Sequence, residues 1–207
     1  MKKIDAINIL LSLVGSSPVN SVDSGQPDAV AANNQLDRAT TELLSRGWWF
    51  NTDYAKVYEP DPVTKQVSVG SNALSVQSRW APYLVQRGKL MYNPTGHTYQ
   101  FEEPLTLDIV TLLDWDLIPT AAQEAIRYRA GYAMVLDELE DAQKASQQAR
   151  EYEIAVALLK AEELRARQYN TFNNPRILRA RAGVRPYYRG LGGAYLGAGY
   201  GPGQTIE

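Results

Sequence analysis

The 207-residue sequence has no cysteine and a single histidine, His97. Without thiols there is no disulfide framework, iron–sulfur cluster, thiolate zinc site or cysteine nucleophile. One imidazole cannot supply the multi-histidine ligand sets of catalytic metal centres. The sequence also lacks an Asp-x-Asp-x-Asp-Gly calcium loop, a Gly-x-x-x-x-Gly-Lys-Ser/Thr phosphate loop and a Gly-x-Ser-x-Gly nucleophile elbow. No apolar run approaches the roughly 20 residues of a membrane span. The expectation is a protein with no metal, no cofactor and no membrane insertion. A regional absence is more telling: no acidic residue lies between Glu163 and Glu207.

What remains is ordinary globular material, 44% hydrophobic and 21% charged. A chain of this length forms one domain or slightly more and can bury roughly 70% of its unfolded surface. Its net charge of -2 conceals a division. Residues 1–163 hold 22 acidic and 14 basic residues, a balance of -8. Residues 164–207 hold seven Arg, no Lys and one Glu, a balance of +6. A basic tail on an acidic body points to an acidic partner for the tail, whether nucleic acid, another protein or a neighbouring copy. The plain alternative is a solvated extension with no dedicated partner.

Met1-Lys2-Lys3 followed by Ile4–Val14 superficially resembles a secretory signal, but Asp5, Asn8 and Ser12 interrupt its apolar core. Ile4, Ile7, Leu11 and Val14 instead mark one face of an amphipathic helix of about three turns, stopped at Gly15. A cytosolic place of synthesis is the expectation from that reading. Asp28 is placed to cap a second helix ending near Arg46. Its stripe is Ala29, Ala32, Leu36, Ala39 and Leu43, and Gly47 is the left-handed terminator.

From Trp48 to Leu113 the period shortens to two, with Tyr54/Val57/Tyr58, Val67/Val69, Leu74/Val76 and Leu105/Leu107/Ile109 between turns. Arg87-Gly88 reads as a tight reversal and Asn93-Pro94-Thr95-Gly96 as a type I turn. About sixty residues is little for an independent all-β domain, so this part should pack on the helices. Thr120-x-x-Gln123 fits a capping box opening a third helix, with Ile126, Ala130, Ala133 and Met134 on its inner face. Asp137-x-x-Glu140 repeats that signal, so a break there separates it from a fourth helix over about 138–169, supported by a Glu140/Lys144 pair. Eight of the fifteen glycines then fall within residues 183–203, among Tyr187, Tyr188, Tyr195 and Tyr200, a composition that does not form a packed core.

Chemistry is sparse. His97 follows a surface turn and reads as a loop residue. Glu102/Glu103 and Asp114/Asp116 are the only paired carboxylates placed like a glycosidase acid and base, and adjacent acids are usually solvated. Trp48-Trp49-Phe50, behind Gly47, reads as hinge packing between helical and β parts rather than as a platform for bases or sugars. The tail residues Arg176, Arg179, Arg181, Arg185, Tyr187, Tyr188 and Arg189 could bind a protein partner, or clamp single-stranded nucleic acid by phosphate pairing and stacking. Their irregular spacing gives no RGG repeat.

Two segments carry a family likeness. Ala6-Ile7-Asn8-Ile9-Leu10-Leu11-Ser12-Leu13-Val14-Gly15 with Pro18-Val19-Asn20-Ser21, and then Ser45-Arg46-Gly47-Trp48-Trp49-Phe50-Asn51, resemble the tail tubular protein A family, the head-to-tail adaptors of short-tailed phages. Leu113-Asp114-Trp115-Asp116 before Pro119 is similar to that family's return from sheet to helices. The likeness covers roughly residues 1–170. It implies an α+β fold, an antiparallel helical bundle carrying an inserted small antiparallel β-sandwich or barrel domain.

The corresponding divisions are 1–50 and 115–170 for the bundle, 51–114 for the insert and 171–207 for an Arg/Gly/Tyr-rich extension. The resemblance further implies a structural virion protein without enzymatic activity. About twelve copies would form a ring between portal and tail nozzle, with tail fibres as a further contact. Double-stranded DNA would pass through without sequence-specific binding. Residues from 171 onward depart from compact members, so the role of the tail stays open between portal, neighbouring subunit and nucleic acid.

Overall fold

The computed structural model describes residues 1–78 and 80–167. Four helices and five strands follow the order α1 (Lys3–Val14), α2 (Pro27–Leu44), β1 (Thr52–Tyr58), β2 (Ala73–Ser78), β3 (Val85–Arg87), β4 (Leu90–Tyr92), β5 (Leu105–Thr111), a 3₁₀ turn (Trp115–Leu117), α3 (Thr120–Leu139) and α4 (Ala142–Ala166). The fold is α+β, with the strands inserted between the second and third helices.

The first helix closes as its glycine requires. Gly15 adopts φ 81°, and Ser16 N–H reaches Leu11 O at 3.0 Å while Gly15 N–H reaches Ser12 O at 3.3 Å. This is the paired arrangement that satisfies a helix's last carbonyls. Asn8, on the polar face, clips the following loop by exchanging two hydrogen bonds with the Val19 backbone, at 2.8 and 3.0 Å.

Helix α2 starts two residues earlier than a cap at Asp28 would place it. Pro27 occupies the first turn, where its missing N–H costs nothing, and Asp28 accepts from the Ser16 hydroxyl instead. Its stripe is buried as read: Ala29, Ala32, Leu36, Ala39 and Leu43 join Ile7, Leu10, Leu11, Ile126, Met134 and Leu159 in the main core. Helices α2 and α3 run antiparallel, tied outside the core by Gln35 to Asp137 at 2.7 Å and Arg129 to Glu42 at 3.0 Å.

The inner helix α3 packs on the other three. Gly131 permits this. A Cβ there would stand 3.1 Å from Leu13 Cδ1 on α1 and 3.0 Å from Gln148 Oε1 on α4. The break before α4 falls at Glu140, held at φ 51°, and the cap is Asp141, which accepts from Gln143 N–H and Lys144 N–H at 3.0 Å each. Asp137 is therefore still inside α3, and the expected pairing of Lys144 with Glu140 is replaced by a bond from Lys144 Nζ to Leu13 O at 3.3 Å.

The strands form a three-stranded antiparallel sheet ordered β1-β5-β2 and a two-stranded ribbon β3-β4 turned at Arg87-Gly88. Between them lies a second, smaller core of Val67, Val69, Val76, Leu84, Met91, Leu107 and Ile109. Strand β1 is an edge. A bulge between Asp53 and Lys56 bends it, and Tyr54 and Val57 remain 50% and 58% exposed. Their apolar character alone does not place them inside. Such a bulge with a lysine is a common way to stop an edge from recruiting another strand.

Candidate functional site

The junction of helix and sheet is the most constrained place in the chain. After α2, Gly47 takes φ 73°, and a Cβ there would meet Val110 Cγ2 at 3.0 Å, so both conformation and space require glycine. The turn it makes buries Trp48, whose indole N–H donates to Leu43 O at 2.8 Å. Trp49 and Phe50 follow in an edge-to-face pair with ring centres 5.0 Å apart, both packed on the main core.

Asn51, only 3% exposed, closes the turn. Its Oδ1 accepts from Trp48 N–H at 2.7 Å, and its Nδ2 donates to Leu44 O at 3.0 Å and Thr111 O at 2.9 Å. One side chain thus joins the end of α2 to the end of β5. Asn51 closes the Ser45–Asn51 segment, but its role as a tie between helix and sheet is not legible in the sequence. The available signal was a polar residue directly behind three buried or half-buried aromatics.

A second polar knot sits where the chain returns to the helices. Pro119 caps α3 through its own carbonyl, which accepts from Ala122 and Gln123 N–H at 2.9 and 3.0 Å. The Thr120–Gln123 capping box is therefore not formed. Gln123 is buried and donates to Trp115 O at 2.9 Å, while its Oε1 accepts from the Met1 ammonium at 2.9 Å. Trp115 Nε1 in turn donates to Met1 O at 2.9 Å. Both tryptophans are held by indole hydrogen bonds to backbone, as buried indoles require.

Beside this knot lies an open cleft of about 520 Å³, lined by Lys3, Asp37, Thr40, Asn72, Leu113 and Leu117 among others. Its Lys3–Asp37 ion pair at 2.7 Å crosses from α1 to α2. Asp114 reaches the cleft wall, but Glu102, Glu103, Asp114 and Asp116 are all solvent-exposed, and Glu102 pairs with Lys65 at 3.4 Å. Exposed carboxylates of this kind lack the enclosed setting in which a glycosidase acid and base flank a sugar bond. His97 is exposed at φ 49° in the loop that Asn93 closes by accepting from Thr95 and Gly96 N–H at 3.0 Å each. Among the described residues no group of three or more His, Asp or Glu is placed to hold a metal, and no helix is long and apolar enough to cross a membrane. The tail residues Arg176, Arg179, Arg181, Arg185, Tyr187, Tyr188 and Arg189 lie outside the described residues.

Among the described residues the candidate catalytic groups are not brought together. The family model described as "Tail tubular protein" matches residues 4–169, both helical parts and the sheet between them. The chain belongs to the tail tubular protein family. It is a structural component of a phage tail. A curated member, "Tail tubular protein A" of Klebsiella phage KP34, is 29% identical over 186 residues, covering 87% of this chain and 98% of the relative. For a tail tubular protein the functional parts are its surfaces. The junction and the Met1–Trp115–Gln123 knot are the fixtures that hold helices and sheet in register beneath them.

Proposed function

We propose that this chain is the head-to-tail adaptor of its virion. About twelve copies form a closed ring between the portal and the tubular nozzle, and the ring continues the channel through which double-stranded DNA leaves the head. The observation that carries this reading is the family match across the whole described body, residues 4–169. The charge division supports it. A body of -8, repeated around a ring with carboxylates toward the lumen, repels phosphate and lets DNA slide rather than stick.

In the same reading the basic tail is a docking arm. Arg176, Arg179, Arg181, Arg185 and Arg189, with Tyr187 and Tyr188, meet an acidic surface of the portal or of the adjacent adaptor subunit. The test is the mass and electron-microscope outline of the purified chain, alone and mixed with portal. A ring on the portal supports the adaptor role, and failure to associate with portal or nozzle under any salt condition removes it. Truncation after Asn170 should leave the fold intact and weaken head–tail joining, with the difference from the full chain shrinking at high salt. If truncated protein joins filled heads normally, the docking arm fails. Titration of isolated protein with DNA at several salt concentrations separates the remaining reading, since a steep slope would make the tail a nucleic-acid clamp.

A further inference from the structure

Helix α4 has two apolar faces, and among the described residues only one is covered. Ala155, Val156 and Leu159 are buried on the side that packs against α3. On the opposite side Ile154, Ala157, Ala161 and Leu164 follow one another at spacings of three, four and three, the pattern of a coiled-coil seam, with Leu158 beside it. Ile154, Leu158 and Leu164 are 56%, 62% and 59% exposed. They leave on the order of 300 Å² of apolar surface along one side of the helix, comparable to the largest patch on an ordinary monomer, which is often functional.

The seam is symmetric about its own middle. Its apolar residues read large, small, small, large: Ile154, Ala157, Ala161, Leu164. Its flanks read Glu151 and Glu153 on the N-terminal side, Arg165 and Arg167 on the C-terminal side. This order complements itself when a second copy is laid antiparallel.

We infer that, before assembly, two copies of this chain pair through α4 in a two-fold antiparallel contact. Ile154 then layers on Leu164 of the second copy and Ala157 on Ala161 of the second copy, the small pair letting the backbones approach. On one flank Glu151 faces Arg165 of the second copy, and on the other Glu153 faces Arg167 of the second copy. Arg167 already pairs with Glu163 at 2.8 Å and donates to the Tyr54 hydroxyl at 2.9 Å within its own chain, and would share its guanidinium among three partners. Leu158 sits next to its own counterpart at the axis. Lys160 also approaches its counterpart, a like-charge contact in solvent that offsets part of the gain. With roughly 600 Å² of apolar surface from the two copies, the pair belongs to the weak, reversible class. Being isologous, it saturates at two copies and cannot itself propagate into a ring.

The inference concerns the unassembled chain and stands apart from the adaptor reading. Sedimentation equilibrium of the full chain tests it, with a reversible shift from 23.0 kDa to twice that mass expected as concentration rises. Leu158→Glu should abolish the shift and leave the circular dichroism spectrum unchanged, because the side chain supports nothing within its own fold. Glu151→Arg or Arg165→Glu alone should weaken pairing about tenfold, and the double swap should restore it. Leu158→Cys, the only thiol in such a variant, should be bridged to itself by a short bismaleimide. The inference is overturned if the chain stays monomeric to about 10⁻⁴ M, or if pairing survives Leu158→Glu. A swap that fails to restore pairing, or higher oligomers without self-crosslinking at position 158, would equally overturn the two-fold geometry.

Discussion

Replacing Asn51 by alanine should be among the most damaging single changes that leaves the apolar core intact. The substitution removes three hydrogen bonds at once: from Trp48 N–H, and to Leu44 O and Thr111 O. Leu44 O keeps a partner in Gly47 N–H at 3.1 Å, so the heaviest losses fall on Trp48 N–H and Thr111 O. At about 1 kcal/mol net for each bond, with more where a buried group is orphaned, the variant should lose about 3 kcal/mol. For a chain of this size that lowers Tm by about 6–12 °C. Thermal unfolding followed by far-ultraviolet circular dichroism and by tryptophan fluorescence reads both the helices and the Trp48 environment. Asn51→Asp should be worse than alanine near neutral pH, because a carboxylate would replace the donor that now faces two carbonyl oxygens. A loss within about 1 kcal/mol for Asn51→Ala, with unchanged fluorescence, would refute the account of Asn51 as the tie between helix and sheet.

Three further outcomes are expected. Gly131→Leu should cost about 2–3 kcal/mol in chemical denaturation by forcing α1 and α4 away from α3, since even a Cβ meets atoms at 3.0 and 3.1 Å. Glu140→Gly should raise stability by about 0.5 kcal/mol in the same assay, because the residue between α3 and α4 is held at φ 51°, where glycine carries no side-chain penalty. Asp61 should titrate below the ordinary carboxylate range by NMR. It is held there chiefly by Thr64 N–H, then Val63 N–H and the Thr64 hydroxyl. A depressed folded-state pKa means its contribution is present above the unfolded value and lost as pH falls through the folded one, so the 61–66 turn should loosen only in strong acid. An ordinary or raised midpoint would contradict that geometry.

The helical stripes were legible because burial repeats every three to four residues whatever the partner is, and Leu36, Leu43, Ile126 and Met134 all lie inside. What depended on non-local arrangement was not. Tyr54 and Val57 have the apolar character of core residues, but strand order puts β1 at the edge, and order is set by β5 some fifty residues later. The Thr120–Gln123 pattern is a sound local signal that lost to a distant competitor: Gln123 is more useful binding Trp115 and Met1 than its own helix end. At the α3–α4 break Asp137 carried the local cap pattern, but the left-handed turn falls at Glu140 and the cap is Asp141. Of the candidate site, Gly47, Trp48, Trp49 and Phe50 could be read from a glycine following a helix. Asn51 could not, since its partners Leu44 and Thr111 lie on two different elements.

The sheet is inserted into the bundle, and this has a consequence during translation. Helices α1 and α2 are complete by Leu44, yet the α3 residues that cover Leu10, Leu11 and Leu36 begin only at Ala122. At cellular elongation rates that gap lasts about 4–15 s. Throughout it Ile7, Leu10, Leu11, Leu36, Leu43 and Leu44, all fully buried in the finished chain, have only each other for cover. The nascent chain is therefore a natural client for ribosome-associated chaperones, and slowing its synthesis between codons 45 and 121 would lengthen its most aggregation-prone interval.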